Sequence, residues 1–313
     1  MRAAGVTQIG GPVGLLELPG PRALRPGEVL IDVRACGAGN WDELVRTGTW
    51  DTGTHPPMAL GVEAAGLVAA AGDSVDSVSV GDIVTTHSVP LRDQGSWAEQ
   101  FIAAAAHLAT IPPGVPFDVA AALPVPALTA DQALTDALDI QPGQAVLVNG
   151  AGGVTGGMLV QLAALRGARV LATADPGSVS RLLDMGAQSV LDYHEPDWPQ
   201  QVRSLTGGGA DRAVNAARSG AHDAIQAVRD GGGLATITGD PPAAQRGIVV
   251  SDVYVVADGA RLQRLTALLG QGALTVSVGA HYRLEQAAAA LDQARHGTHG
   301  AATVLLPNAG HTV

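Results

Sequence analysis

Residues 145–157 read AVLVNGAGGVTGG, an aliphatic run that passes straight into a cluster of glycines. A helix-compatible run, residues 158–166 (MLVQLAALR), follows at once. Within the turn, Ala151-x-Gly153-x-x-Gly156 has the spacing of a dinucleotide-binding fingerprint, with alanine at the first glycine position. A buried strand, a turn with little side chain and a helix opening onto that turn together make an anion site. The first helical amides lack partners and the helix dipole is positive there. The turn residues Ala151, Gly152, Gly153, Val154, Thr155 and Gly156 are therefore candidate contacts to a pyrophosphate. Gly153 lets the backbone approach the phosphates, and Gly156 lets the helix lie close on the strand. A second strand pattern, residues 168–174 (ARVLATA), follows at the distance of a βαβ unit. The alternative reading is a turn tightened only for packing.

The 313 residues are enough for about two domains, each with its own core. A hydrophobic fraction of 46% with 15% charged residues describes a soluble globular chain. The formal charge is −11 and all 18 basic residues are arginine, with no basic stripe, so nucleic acid is not an expected partner. The lack of lysine rules out Schiff-base chemistry and a lysine contact to a cofactor phosphate. Cys36 is the single cysteine, which excludes an internal disulfide and a Cys-rich zinc site. No run reaches the length of a membrane span, and Met1–Gly5 leads into no apolar signal core. A cytoplasmic protein without membrane association is expected.

Residues 28–35 (EVLIDVRA) alternate apolar and polar, the mark of a half-buried strand. Residues 60–72 and 80–86 read similarly, and residues 40–47 (NWDELVRT) read as a short helix between them. The first 118 residues thus predict a β-rich domain, a twisted barrel. Near Asp118 the pattern changes. Asp118 is placed to cap a helix that Pro124 and Pro126 interrupt, and residues 128–138 then read as a clear helix. From residue 145 to 238 strands and helices alternate, which predicts a parallel sheet with helices on both faces. Residues 248–256 add a strand-like stretch, 260–269 and 284–295 read as helices, and 302–306 as a strand able to rejoin the first domain.

A β-rich N-terminal part, an inserted α/β unit and a returning C-terminus carry a family resemblance. It rests on Ala35-Cys36-Gly37-Ala38-Gly39-Asn40-Trp41-Asp42, Leu60-Gly61-Val62-Glu63-Ala64-Ala65-Gly66, Gly81-Asp82-Ile83-Val84, Ala127-Leu128-Thr129-Ala130 and the AGGVTG turn. Met185-Gly186-Ala187 followed by Val190-Leu191-Asp192-Tyr193 is a further match. In this order the chain resembles the medium-chain dehydrogenase/reductases, in the zinc-independent quinone oxidoreductase (zeta-crystallin-like) branch. The resemblance implies an α/β fold: a GroES-like β-rich catalytic domain, residues 1–119 with 259–313, and a Rossmann doubly wound parallel sheet over residues 120–258. Zinc-dependent relatives carry Cys and Gly-His-Glu where this chain has Gly39 and Gly61-Val62-Glu63, so no metal is expected. His296 and His299 are three apart but lie among loop glycines, where solvated side chains are expected.

Without a Lewis acid, the reaction the resemblance implies is hydride delivery from a reduced nicotinamide to an already electrophilic carbon, in a quinone or an α,β-unsaturated carbonyl. The resemblance puts Asn40 and Thr129 beside the nicotinamide as catalytic and cofactor-binding residues. As plain structure, each can instead cap a helix. For the proton, Asp42, Tyr254 and Tyr282 are weighed and solvent is the default. NADPH is expected on family grounds, with NADH close behind. Asp175 disfavours a 2′-phosphate, while Ser178, Arg181 and Tyr193 can contact one. Asn215, where relatives often carry Asp, and Thr238-Gly239 are expected to face the nicotinamide from the carboxyl ends of the sheet. The apolar 248–256 stretch is an unprotected edge in a monomer, and the resemblance implies a homodimer. Two other functions stay open: an enoyl reductase dedicated to one pathway, such as polyketide synthesis, and a non-catalytic NADPH-binding redox sensor or crystallin-like protein.

Overall fold

The computed structural model describes residues 1–308. The chain divides into two compact units, Met1–Val125 with the chain from Val256 onward, and Pro126–Val255.

In the first unit, strand Glu28–Ala38 is the spine. It pairs antiparallel with Glu63–Ala71 on one side and with Gln100–Ala104 and Ala301–Leu305 along the other. Burial alternates over its first half, as the sequence pattern requires, and its last four residues (ACGA) are buried. Ile83–His87 and Leu108–Thr110 extend the sheet. The returning strand aligns Thr303 with Ala38 and Leu305 with Cys36, so the C-terminal segment does rejoin the first domain. Strand Ser277–Tyr282, which the sequence reading lacks, pairs parallel with Ala301–Leu305 at the sheet margin. Val278, Ala280 and Tyr282 alternate with Ser277, Gly279 and His281, and the exposure alternates with them, so the strand carries a short period-2 pattern with one face half-buried. Few aromatic residues are available, and one of them, Trp97, is fully buried with its indole Nε1 donating to the Gly37 carbonyl at 2.9 Å.

The second unit holds a six-stranded, wholly parallel sheet. Its spatial order is Ser189–Asp192, Arg169–Ala174, Ala145–Asn149, Ala210–Asn215, Val228–Thr236, Val249–Asp252. The chain starts in the middle, winds outward to one edge, then returns to wind toward the other. The order reverses between Ala145–Asn149 and Ala210–Asn215, the switch point beside which such sheets bind ligands at the carboxyl ends of their strands. The core between sheet and helices includes Leu147, Leu171, Trp198, Val202, Ile225 and Leu234.

The prolines separate two helices. Helix Pro124–Gln132 starts on Pro124 and contains Pro126, and a π-helical segment, Ala133–Ala137, continues it. Both prolines fall in its first turn, where the missing N–H would have had no intrahelical partner, so they open this helix ahead of the expected start at residue 128, while the preceding helix, Phe117–Ala121, ends short of Pro124 as expected. Asp118 likewise lies inside the short helix Phe117–Ala121, with Pro116 at its N-cap. No described helix is long and apolar enough to cross a membrane.

Candidate nucleotide-binding site

Strand Ala145–Asn149 is buried along its length and ends on Gly150, whose φ of +81° suits glycine. A Cβ there would lie 2.7 Å from the Ala217 nitrogen, so two backbones cross at this point. Gly150 is outside the fingerprint spacing, yet the turn requires it. Thr173 pins the turn to the neighbouring strand: its Oγ1 accepts from the Gly150 amide at 3.0 Å and its carbonyl from the Ala151 amide at 2.9 Å. Gly153 is the N-cap of helix Val154–Leu165, and no side chain caps that end. Val154 and Thr155 form its opening turn.

The two fingerprint glycines serve different ends. A Cβ on Gly156 would sit 2.3 Å from the Gly150 oxygen and 2.7 Å from the Ala151 Cα, so the helix rests hard on the turn. A Cβ on Gly153 would find nothing nearer than the Gly150 oxygen at 3.9 Å. Packing accounts for Gly156 and not for Gly153. The open space before Gly153, at the uncapped positive end of a twelve-residue helix, fits a pyrophosphate.

At the end of the second strand, Asp175, Ser178 and Arg181 gather against the same turn. The Ser178 hydroxyl donates to Asp175 Oδ2 at 2.9 Å. Both oxygens lie 3.5 Å from where a Cβ on Gly152 would be. Arg181 Nη2 donates to the Gly152 carbonyl at 2.8 Å, and Nη1 reaches Met185 Sδ at 3.7 Å. Burial lowers the Arg181 pKa below its ordinary value, opposed by the Asp175 charge. Tyr193, beyond the next strand, is half exposed with its ring centroid 4.1 Å from that of His194.

A polar network crosses the carboxyl ends of four strands. Thr173 Oγ1 donates to Asn149 Oδ1 at 2.6 Å, and Asn149 Nδ2 donates to Asn215 Oδ1 at 2.8 Å. Asn215 Nδ2 faces Thr238 Oγ1 at 2.9 Å, Thr236 Oγ1 at 3.2 Å and Asp240 Oδ1 at 3.3 Å. Thr236 and Thr238 both donate to the Asp240 carboxylate. Burial pushes the Asp240 carboxyl up, but these bonds and the Ala221 amide outweigh it and hold its pKa below the usual value. Asn215 and Thr238 thus spend polar atoms inside the protein, and Asn215 is fully buried. They tie the strand ends together. Gly239, with φ +69°, makes the bend that brings Asp240 back onto them. Asn149, Thr173 and Asp240 escape the sequence reading, although polar residues ending apolar runs (VLVN, LATA) are the signal that marks the first two.

In the first unit, Asn40 stands before helix Trp41–Thr47 but its side chain makes no cap bond. Asp42 Oδ2 takes that role, accepting from the Gly39 amide at 2.9 Å. Asn40 is exposed. In the second unit, Thr129 lies inside helix Pro124–Gln132 and is nearly buried, so it is not a cap either. The capping alternative fails for both residues.

Asp42 and Glu63 are fully buried acids. Burial lifts the Asp42 pKa to about 7, against amide bonds from Gly39 and Gly61. Glu63 is lifted well above the usual range by burial and by Asp42, while its Oε2 accepts from the Val125 amide at 2.8 Å. A Cβ on Gly37 would meet Glu63 Oε1, so that glycine makes room for the carboxyl. A Cβ on Gly39 would sit 2.2 Å from the Trp41 indole, which leaves no room for a ligating side chain there. Among the described residues, no group of three or more His, Cys, Asp or Glu is placed to hold a metal ion.

Residues 25–113 match the family model of the alcohol dehydrogenase GroES-like domain, and residues 185–305 match that of the zinc-binding dehydrogenases. A synaptic vesicle membrane protein VAT-1 homolog of Danio rerio is 34% identical over 213 residues, covering 67% of this chain and 43% of that protein. The chain therefore aligns with less than half the length of this relative. A solved mycobacterial quinone oxidoreductase is 30% identical with a TM-score of 0.82, covering 98% of this chain and 100% of the other. A mycobacterial protein solved in complex with NADPH is 29% identical with a TM-score of 0.85, covering 98% and 100%. The parallel sheet and its glycine turn define a dinucleotide-binding fold, and the chain also carries a GroES-like domain. The chain belongs to the medium-chain dehydrogenase/reductase family, among its quinone oxidoreductase-like members.

Proposed function

We propose that the protein is a zinc-independent, NAD(P)H-dependent oxidoreductase acting on a quinone or an α,β-unsaturated carbonyl. The observation that carries this reading is the bare cradle at Gly153, where the fold leaves space that packing does not use. When bound, the reduced nicotinamide supplies a hydride, and the acceptor's carbonyl oxygen takes up the negative charge. The chain's own contribution is alignment and hydrogen bonding. Residues 151–156 hold the pyrophosphate, and the Asn149–Asn215–Asp240 network fixes the strand ends that support this turn. Asn40, whose amide caps nothing, is assigned to hydrogen-bond the acceptor oxygen, and Thr129 to orient the nicotinamide. Asp42 is buried with one oxygen held by the Gly39 amide, and solvent is assigned as the proton source by default.

The zinc-free part of the reading is supported by Gly39 and Val62, which carry no ligating atom, and by the indole that fills the space beside position 39. A homodimer is also inferred: Val249–Asp252 is the open edge of the parallel sheet, with Val249 66% exposed. Light scattering is expected to give twice the 31.4 kDa chain mass, and a monomer removes that inference. For the activity, coenzyme oxidation is followed across a panel of quinones and enones, with and without a chelator. Turnover of at least one acceptor, unaffected by chelation, is expected. Tight coenzyme binding with no turnover on any acceptor favours a redox sensor instead.

A further inference from the structure

We propose that Met185 is an oxidation site: hydrogen peroxide converts its thioether to the sulfoxide, and the new oxygen takes hold of Arg181 and weakens coenzyme binding. The consequence for the coenzyme rests on the reading of residues 151–156 as a dinucleotide cradle.

The chain's sulfur atoms lie in Cys36 and in Met1, Met58, Met158 and Met185. Cys36 is fully buried, and burial pushes its thiol well above the ordinary pKa, which suppresses the reactive thiolate. Met58 and Met158 are 1% and 2% exposed. Met1 is half-buried in the first unit, and Met185 is half-buried in the second. Oxidation of sulfur follows exposure, so Met185 is the sulfur of the second unit that a small oxidant in water attacks first.

Its surroundings give that oxidation a consequence. Met185 is the C-cap of helix Val179–Asp184, four residues beyond Arg181 and so on the same side of that helix. Arg181 Nη1 donates to Met185 Sδ at 3.7 Å, while Nη2 donates at 2.8 Å to the Gly152 carbonyl in the glycine turn. One guanidinium thus joins the thioether to the cradle. The position of a Cβ on Gly157 lies 3.4 Å from both Sδ and Nη1. Gly157 therefore leaves room for one more atom beside the sulfur and the guanidinium.

In the reaction the sulfur attacks one peroxide oxygen, the O–O bond breaks and an S–O bond forms. Sulfur gives up two electrons, and the proton on the transferred oxygen passes to the departing one, which leaves as water. Reduced quinones form hydrogen peroxide with dioxygen, so the proposed activity generates the oxidant from its own product. A thioether is a weak acceptor, whereas a sulfoxide oxygen is a polar one that accepts a charge-assisted bond from Nη1. Arg181 keeps its charge and further N–H donors beside the cradle, where they attract an anionic coenzyme. The sulfoxide takes one donor and sets the negative end of its dipole against that charge.

The test treats the purified protein with hydrogen peroxide, maps the oxidised methionines by peptide mass spectrometry and titrates NADPH and NADH by fluorescence. Met185 is expected to oxidise well before Met58 and Met158, and affinity for both coenzymes to fall by roughly fivefold. Methionine sulfoxide reductase is expected to restore it. Untreated Met185→Leu, a volume-conserving change, is expected to bind like the wild type and to keep its affinity after peroxide. Unchanged affinity in protein fully oxidised at Met185 overturns the inference alone, as does an equal loss in Met185→Leu or oxidation of Met58 and Met158 ahead of Met185. Untreated wild type that binds neither coenzyme overturns the cradle reading and this inference together.

Discussion

Gly153→Ala and Gly156→Ala separate the two uses of glycine in the turn. Gly153 has φ −78° and ψ 172°, which alanine adopts freely, and its Cβ would meet nothing within 3.8 Å, the nearest atom being 3.9 Å away. The folding cost of Gly153→Ala is then the poorer N-cap, about 0.5 to 1 kcal/mol. For a chain of 313 residues that moves Tm by roughly 1 to 1.5 °C. The added methyl nevertheless stands in the space assigned to the pyrophosphate, and a loss of at least tenfold in coenzyme affinity is expected, about 1.4 kcal/mol. Gly156→Ala behaves differently. Its Cβ would be 2.3 Å from the Gly150 oxygen and 2.7 Å from the Ala151 Cα. Both are backbone atoms, so the helix must retreat by roughly 1 Å to restore ordinary contact. Overpacking of that kind costs about 1 to 3 kcal/mol and also displaces the amides. Thermal melts and calorimetric coenzyme titration of both variants measure the contrast. A Gly153→Ala protein that binds coenzyme like the wild type refutes the reasoning, as does one destabilised as much as Gly156→Ala.

Two further outcomes follow from the buried acids and the strand-end network. Asp42 has a folded pKa of about 7 against 3.8 for the free side chain. Its contribution is fully present below pH 4 and is lost as pH rises to 7, a span on the order of 4 kcal/mol at the upper limit. Urea melts between pH 4.5 and 8 should therefore show Asp42→Asn gaining on the wild type as pH rises; a difference that stays constant with pH contradicts the assignment. Asn215→Asp places a carboxylate where an amide now lies 3.3 Å from Asp240 Oδ1. Stability at pH 7 should fall by about 2 kcal/mol and recover as pH drops and one acid protonates, and wild-type stability at pH 7 sinks that account.

The fold was legible where local chemistry and tertiary role coincide. Residues 145–157 form a strand, turn and helix because the apolar run, the glycines and the helix formers all demand it, and the sheet built around them follows from the βα rhythm. Pro124 and Pro126 mark the end of one helix legibly but hide the start of the next, because a proline in a helix's first turn and one that stops a helix look alike until the start of the helix is known. Strand Ser277–Tyr282 alternates Val278, Ala280 and Tyr282 with polar or small residues, but over only six residues with little apolar bulk, and its pairing with Ala301–Leu305 makes it plain. Within the site, the glycines and Asp175 stand in spacings that chemistry makes recognisable. Asn149, Thr173 and Asp240 act together only once separate strands bring their ends side by side. The same holds for Asp42, which the sequence presents as an ordinary acid of a first helical turn. Its unusual protonation comes from burial. Asn215 shows the gain from structure most plainly: an amide rather than an acid at the end of that strand becomes intelligible when Asp240 is found beside it.

The central claim is that the amides opening helix Val154–Leu165 grip a coenzyme pyrophosphate. Amide hydrogen exchange, followed by mass spectrometry with and without saturating reduced coenzyme, reads those amides themselves. Slowed exchange across residues 150–157, with a smaller effect at 173–181, is the predicted result. Unchanged exchange across 150–157 under conditions where the coenzyme is bound would contradict it.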